Sequence, residues 1–122
     1  MLIMRARPVA VAETDLFVRQ AGKVWNDEER LSFIDYIARN PEAGDVIPET
    51  GGVRKVRWGR QGSGKRGGVR VIYFFHDVDV PLYLLMIYAK AQRDDISPDA
   101  RRALQAFAAR LKRARAARRM GR

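Results

Sequence analysis

An α+β fold is predicted for this chain of 122 residues: an antiparallel-dominated twisted sheet of about four strands, with two N-terminal helices and a C-terminal helix packed on it. Three observations lead there. The runs Val53 to Trp58, Val69 to His76 and Leu82 to Ala89 are rich in β-branched and aromatic residues, and only a glycine-rich loop and a short turn separate them. Two helical patterns precede these strands and one follows. Tyr73-Phe74-Phe75 and Leu82 to Ile87 are apolar at successive positions, which signals burial on both faces and hence helices over the sheet. With 47% apolar residues the chain can bury a core without staples, as one domain over residues 1–122.

The elements follow in order. Val9 to Glu13 alternates weakly and reads as a short strand. Thr14 or Asp15 then caps a helix through Val24, with Phe17, Gln20, Ala21 and Val24 on one face. Asn26, followed by Asp27, Glu28 and Glu29, starts a second helix, because the asparagine caps and the acids complement the helix dipole. That helix ends near Asn40-Pro41, completing a helical part over residues 14–40. Leu31, Ile34, Ile37 and Ala38 form its buried stripe, with Arg30, Asp35 and Arg39 toward water. Glu42 to Gly52 is a loop leading into the sheet, residues 53–90, in which Asp77 to Pro81 turns the last two strands. Ser97-Pro98-Asp99 opens the C-terminal helix, residues 97–115, with Ala100, Leu104, Phe107, Leu111 and Ala114 inward. Beyond about Ala114 the chain is nearly all arginine and alanine. This basic tail, residues 116–122, either continues as a solvated helix or frays.

Charge distribution narrows the function. The formal net charge is +10, from 24 basic and 14 acidic side chains. Seven of the basic residues, Arg54, Lys55, Arg57, Arg60, Lys65, Arg66 and Arg70, lie between Val53 and Tyr73 without one acid, and seven more lie in Arg110 to Arg122. The remainder carries ten basic against fourteen acidic residues, a net −4. Positive charge gathered in two patches on a slightly acidic body is the footprint of a polyanion binder, with nucleic acid ahead of anionic membrane. No apolar run reaches the roughly 20 residues of a membrane span, and Met1 to Ala12 lacks a signal-peptide core. A cytoplasmic location is expected. No cysteine and one histidine, His76, argue against a zinc site.

Two phosphate motifs are refused. Gly59 to Lys65 has the spacing of a P-loop and Gly62 to Gly67 that of a dinucleotide fingerprint, but Arg66 stands where a P-loop needs serine or threonine. Both motifs also need a helix after the glycines to supply amides, and Val69 to Phe75 reads as strand. His76, a tempting general base, abuts the far turn of the hairpin from the basic cluster.

Antiparallel pairing around the glycine loop brings Arg57 opposite Arg70, and the second hairpin brings Arg70 opposite Ile87 or Tyr88. Arg57, Arg70, Tyr88 and Lys90 thereby gather at one sheet end, below Arg60, Lys65 and Arg66. Like charges facing one another cost on the order of 0.2 to 1 kcal/mol per pair unless an anion sits between them. Tyr73 and Tyr83 read as core, and Trp58 as core or as a stacking platform for a base.

These residues resemble a known family. Gly51-Gly52-Val53-Arg54-Lys55-Val56-Arg57-Trp58, the glycine-rich basic loop, Gly67-Gly68-Val69-Arg70-Val71-Ile72-Tyr73 and Tyr83-Leu84-Leu85-Met86-Ile87-Tyr88-Ala89-Lys90 are similar to the HigB branch of RelE-like toxins of type II toxin–antitoxin systems. Asn40 to Pro48 matches the family's lead-in to the first long strand, and the likeness runs from about Phe17 to Phe107. The resemblance implies a small RelE-like fold that enters the ribosomal A site and cuts mRNA. It implies a tightly bound antitoxin, in this branch usually a helix-turn-helix protein through which alone operator DNA is reached. Cleavage by the RNA's own 2′-hydroxyl needs a base, cations for the pentacoordinate phosphate and an acid for the leaving oxygen, with no metal or cofactor. The family's basic strand positions carry onto the catalytic candidates Lys55, Arg57 and Arg70, and its strand-end lysine onto Lys90. Arg70 would stabilise phosphate, and Lys55 or Lys90 would accept the proton, provided neighbouring positive charge favours the neutral amine. Trp58 or Tyr88 would stack on a base, and Arg54, Arg60, Lys65, Arg66 and Arg93 complete the RNA-binding set. Ser97 falls where some relatives carry a catalytic tyrosine, and Ala91 where they carry a further basic residue, with Arg93 as substitute. The alternatives are a non-enzymatic RNA- or ribosome-binding module and a regulatory partner acting mainly in an antitoxin–operator complex.

Overall fold

A computed structural model describes residues 7–59, 68–91 and 95–120. Strands β1 (Val11–Glu13), β2 (Asp45–Val46), β3 (Val53–Trp58), β4 (Val69–Phe74) and β5 (Leu82–Ala89) form one sheet in the order β1-β5-β4-β3-β2. Helices α1 (Asp15–Ala21) and α2 (Asp27–Arg39) lie between β1 and β2, and α3 (Pro98–Met120) follows β5. The pairings are antiparallel except that of β1 with β5, which is parallel. The expected α+β class holds, with five strands rather than about four. The fifth is β2, whose two residues stand inside the stretch expected to be loop; a two-residue strand has no periodicity to read.

The sheet is covered on both faces. On one, Val56, Val69, Val71, Tyr73, Leu82, Leu84 and Ile87 pack against Phe17, Ala21, Trp25, Phe33 and Ile37 of the α1–α2 region. On the other, Val53, Ile72, Phe74, Leu85, Met86 and Tyr88 pack against Leu104 and Ala108 of α3. The change of partner along β5 comes from a register shift: Ile72 pairs with Met86 but Tyr73 with Leu84, so Leu85 is an extra residue. Leu85 and Met86 both reach the α3 side, and every later residue of β5 changes face.

Thr14 caps α1, accepting from the Phe17 amide at 3.3 Å while its hydroxyl donates to the Leu84 carbonyl at 2.9 Å. The cap thus also docks the helix on β5. Gln20 extends that docking, its Oε1 accepting from the Ile87 amide at 3.0 Å. α1 ends at Ala21 rather than Val24. α2 opens with the anticipated cap as a reciprocal box, the Glu29 amide donating to Asn26 Oδ1 at 2.8 Å and the Asn26 amide to Glu29 Oε1 at 3.1 Å. Its expected stripe needs correction. Leu31 is 58% exposed and Phe33 is fully buried in its place, because the stripe is rotated toward Trp25 and Trp58. Arg30, expected to face water, donates from Nε to Glu13 at 2.7 Å and ties α2 to β1.

Tyr73 is fully buried and organises the lead-in to β3. Its hydroxyl donates to the Pro41 carbonyl and accepts from the Gly44 amide, both at 2.8 Å. Burial pushes its pKa up to about 12, the Gly44 hydrogen bond opposing the rise. A Cβ at Gly44 would stand 2.8 Å from the Lys55 carbonyl oxygen, so only glycine lets this segment lie on β3.

α3 also differs from its expected extent. It runs unbroken to Met120, so the tail continues as helix, and Ala114 is exposed while Arg115 takes the next inward position. Arg115 donates to Asp77 at 3.2 Å and to Asp79 at 2.6 Å, fastening the helix to the β4–β5 turn. Arg101 and Lys112 donate to the carbonyls of Pro48 and Gly51. Among the described residues, no helix is long and apolar enough to cross a membrane.

Tyr73→Phe removes both hydroxyl bonds and strands two buried backbone groups, and should cost about 1–3 kcal/mol in urea unfolding with an unchanged m-value. A second expectation concerns the Arg115 clamp. The Asp77 carboxyl is held below the usual carboxylate range, first by the Asp79 amide and then by Arg115. A carboxylate depressed in the folded state contributes stability above its unfolded pKa, roughly 3.9, and loses it as pH falls through the folded value. The helical 13Cα shifts of residues 112–120 should therefore decline below about pH 4 before those of the sheet change, and Arg115→Gln should produce the same decline at neutral pH.

Candidate functional site

Three adjacent strands deliver side chains to one end of the sheet. Arg57 pairs with Arg70 across β3 and β4, and Arg70 with Tyr88 across β4 and β5. Alternation along β3 puts Lys55 on the same face as Arg57, and the extra residue Leu85 brings Tyr88 to the face of Arg70. Without it, Tyr88 would point toward α1 and α2. Lys90 follows two residues on, its amide donating to the Gly68 carbonyl at 3.3 Å and extending the ladder past β5. Gly68 itself has φ +92°, and a Cβ there would meet the Trp58 carbonyl at 3.1 Å. Only glycine takes this backbone conformation readily, at the point where the chain enters β4.

Arg57 is exposed and Arg70 half-buried. Among the described residues no carboxylate pairs with either, whereas Arg30, Arg39, Arg102 and Arg115 each hold an acid. Two paired arginines with no carboxylate partner among the described residues form a site that favours an anion between them.

Lys55 is arranged differently. Its Nζ lies 3.5 Å from Asp95 Oδ1, and Arg101 of α3 approaches the other carboxylate oxygen at 4.0 Å. The Asp95 carboxyl is held below its usual range by the Ile96 amide first, and further by Lys55 and Arg101. Asp95 and Arg101 were not anticipated from sequence. Asp95 reaches Lys55, and Arg101 reaches Asp95, because α3 crosses this face, which no local pattern announces.

Other expected residues sit elsewhere. Arg54 lies on the opposite face, where its Nη1 donates to the carbonyls of Gly44 at 2.6 Å and Glu42 at 3.3 Å, so it is bound up in holding the lead-in segment. Trp58 packs on Phe33 and Tyr36, with ring centroids 5.3 and 5.0 Å away, on the α2 side of the sheet. Tyr88 is 6% exposed and belongs to the α3-side core. Both expected stacking residues are thus mainly packing residues. Arg60, Lys65, Arg66 and Arg93 lie outside the described residues. Ser97 caps α3, its Oγ accepting from the Ala100 amide at 3.1 Å. His76 stacks on Phe74 at the other end of β4, away from the cations.

A paired-arginine sheet end approached by lysines suits a phosphodiester. The family described as RelE toxin of the RelE/RelB toxin–antitoxin system matches residues 11–120, a span that takes in every strand and helix described above. The chain belongs to the RelE toxin family of type II toxin–antitoxin systems, in which the toxin is partnered by a cognate RelB-type antitoxin.

Proposed function

We propose that this protein is a ribosome-dependent mRNA endoribonuclease that arrests translation by cutting mRNA in the A site. Family membership supports the class of activity, since RelE toxins are typically ribosome-dependent endoribonucleases. The observation that carries the assignment to a site is the cross-strand pair Arg57 and Arg70, adjacent on one face and without a carboxylate among the described residues.

In the proposed reaction the 2′-oxygen attacks the neighbouring phosphorus and the bond to the 5′-oxygen breaks, that oxygen taking a proton from water, which leaves a 2′,3′-cyclic phosphate and a 5′-hydroxyl. Arg57 and Arg70 stabilise the charge that gathers on the phosphate oxygens in the transition state. Lys55, ion-paired with Asp95, adds positive charge beside them. Lys90, at the strand end, takes the 2′-proton. Arg60, Lys65, Arg66 and Arg93 guide the RNA backbone by charge. The residues of Gly51 to Trp58, Gly67 to Tyr73 and Tyr83 to Lys90 further support placement in the HigB branch, with a helix-turn-helix antitoxin through which operator DNA is contacted. A second reading, an RNA- or ribosome-binding module without cleavage, is favoured by one observation: Ser97, at the position of some relatives' catalytic tyrosine, is engaged as a helix cap.

Primer extension across a reporter mRNA in a cell-free translation reaction separates the two readings. New 5′ ends in the coding frame, present only with ribosomes, are the expected result. Arg70→Ala should lower their rate of appearance roughly 10²–10³-fold while thermal unfolding and antitoxin binding stay as in the wild type. Ribosome binding without new ends would establish the module instead.

A further inference from the structure

The second concentration of charge lies far from the sheet end. From Arg70 to Asp77 the chain runs seven residues, about 23 Å at strand rise, and at Asp77 it meets the C-terminal half of α3. No acid follows Asp99 in the sequence, and residues 112–120 contain Lys112, Arg113, Arg115, Arg118 and Arg119. This last stretch, about 13 Å long from Leu111 to Met120, has lost the apolar stripe that holds the rest of α3. Its anchor is instead electrostatic. The Arg115 side chain is only 14% exposed and reaches both Asp77 and Asp79. Arg118 and Arg119 line a cleft with Arg115 and Asp79, and among the described residues neither is ion-paired.

We propose that this clamped arm is a second RNA interface, which seats Arg118 and Arg119 on phosphates of duplex ribosomal RNA while the sheet end acts on mRNA. Two features select RNA over a protein partner. Beyond Leu111 the only large apolar side chain described is Met120, so the arm lacks the apolar centre that a protein interface is built around. Cations mounted on a clamped helix suit duplex RNA, which is recognised mainly by its phosphates and shape. The clamp matters because arginines on a frayed tail would lose far more freedom on binding than arginines on a fixed helix.

This inference rests on the ribosome reading only for the identity of the RNA. The test is the double substitution Arg118→Gln and Arg119→Gln, which keeps helix propensity and touches neither the core nor the sheet end. Affinity is measured against purified ribosomes, a 20-base-pair RNA duplex and the cognate antitoxin, each across a salt series. Weaker binding to ribosomes and duplex by about tenfold, with the slope of log K against log salt reduced by about 1.4 to 1.8 for two lost phosphate contacts, is the expected result. Antitoxin affinity should hold, and mRNA cleavage at saturating ribosomes should proceed at the wild-type rate. Unchanged RNA affinity and slope would overturn the proposal, whether antitoxin binding falls, which would make the arm a protein contact, or holds, which would make it a solvated helix. If wild type binds duplex through these arginines but cuts no mRNA on ribosomes, the arm stands and the cleavage reading falls.

Discussion

The register of three strands governs what this protein can do. Pairing Arg57 with Arg70, and Arg70 with Tyr88, sets two arginines side by side on one face of the sheet. Charges so placed repel one another in the isolated protein and are relieved by an anion. A slip of one residue between β3 and β4 would send one arginine to the face of α1 and α2, into the core around Phe17, Phe33 and Trp58. The apolar residues between the cations prevent that slip. Val53, Ile72 and Phe74 are buried under α3 in the same alternation that presents Lys55, Arg57 and Arg70. Core packing and site geometry are therefore one constraint.

The two faces divide the work. On the α1–α2 side, Tyr73 and Arg54 hold the segment from Pro41 to Gly44 against β3, the strand carrying Lys55 and Arg57. On the other side α3 begins at the site, where Arg101 meets Asp95, and ends at the far turn, where Arg115 meets Asp77 and Asp79. A single helix thus joins the two ends of the sheet. The acids involved are few and local. Asp95 offsets one lysine beside the site, and among the described residues no carboxylate compensates the arginine pair.

Much of this was legible in the sequence, and the failures have physical causes. The three long strands, the caps at Asn26 and Ser97, and the pairing of Arg57 with Arg70 follow from runs of β-branched residues and the glycine loop between them. Whether Ile87 or Tyr88 met Arg70 was not legible, because Leu85 adds one residue inside a run that is apolar on both faces and so gives no alternation to count. Leu31 and Phe33 were exchanged in the α2 stripe because a helix with apolar residues at both positions defines its inward direction only through what it packs on. Arg54 looked like its basic neighbours, yet its odd-even position puts it on the other face with backbone carbonyls as partners. The contacts of Asp95 and of Arg115 join residues some 40 positions apart and have no local signature.

The central claim is that Arg57 and Arg70 act together on one phosphate. A double-mutant cycle with Arg57→Ala and Arg70→Ala, read as the single-turnover rate of mRNA cleavage on programmed ribosomes, tests it directly. Groups that act as a unit give strongly non-additive losses, so the double variant should be little slower than the slower single one. Losses that multiply, or a double variant that still cuts at the wild-type rate, would contradict the account.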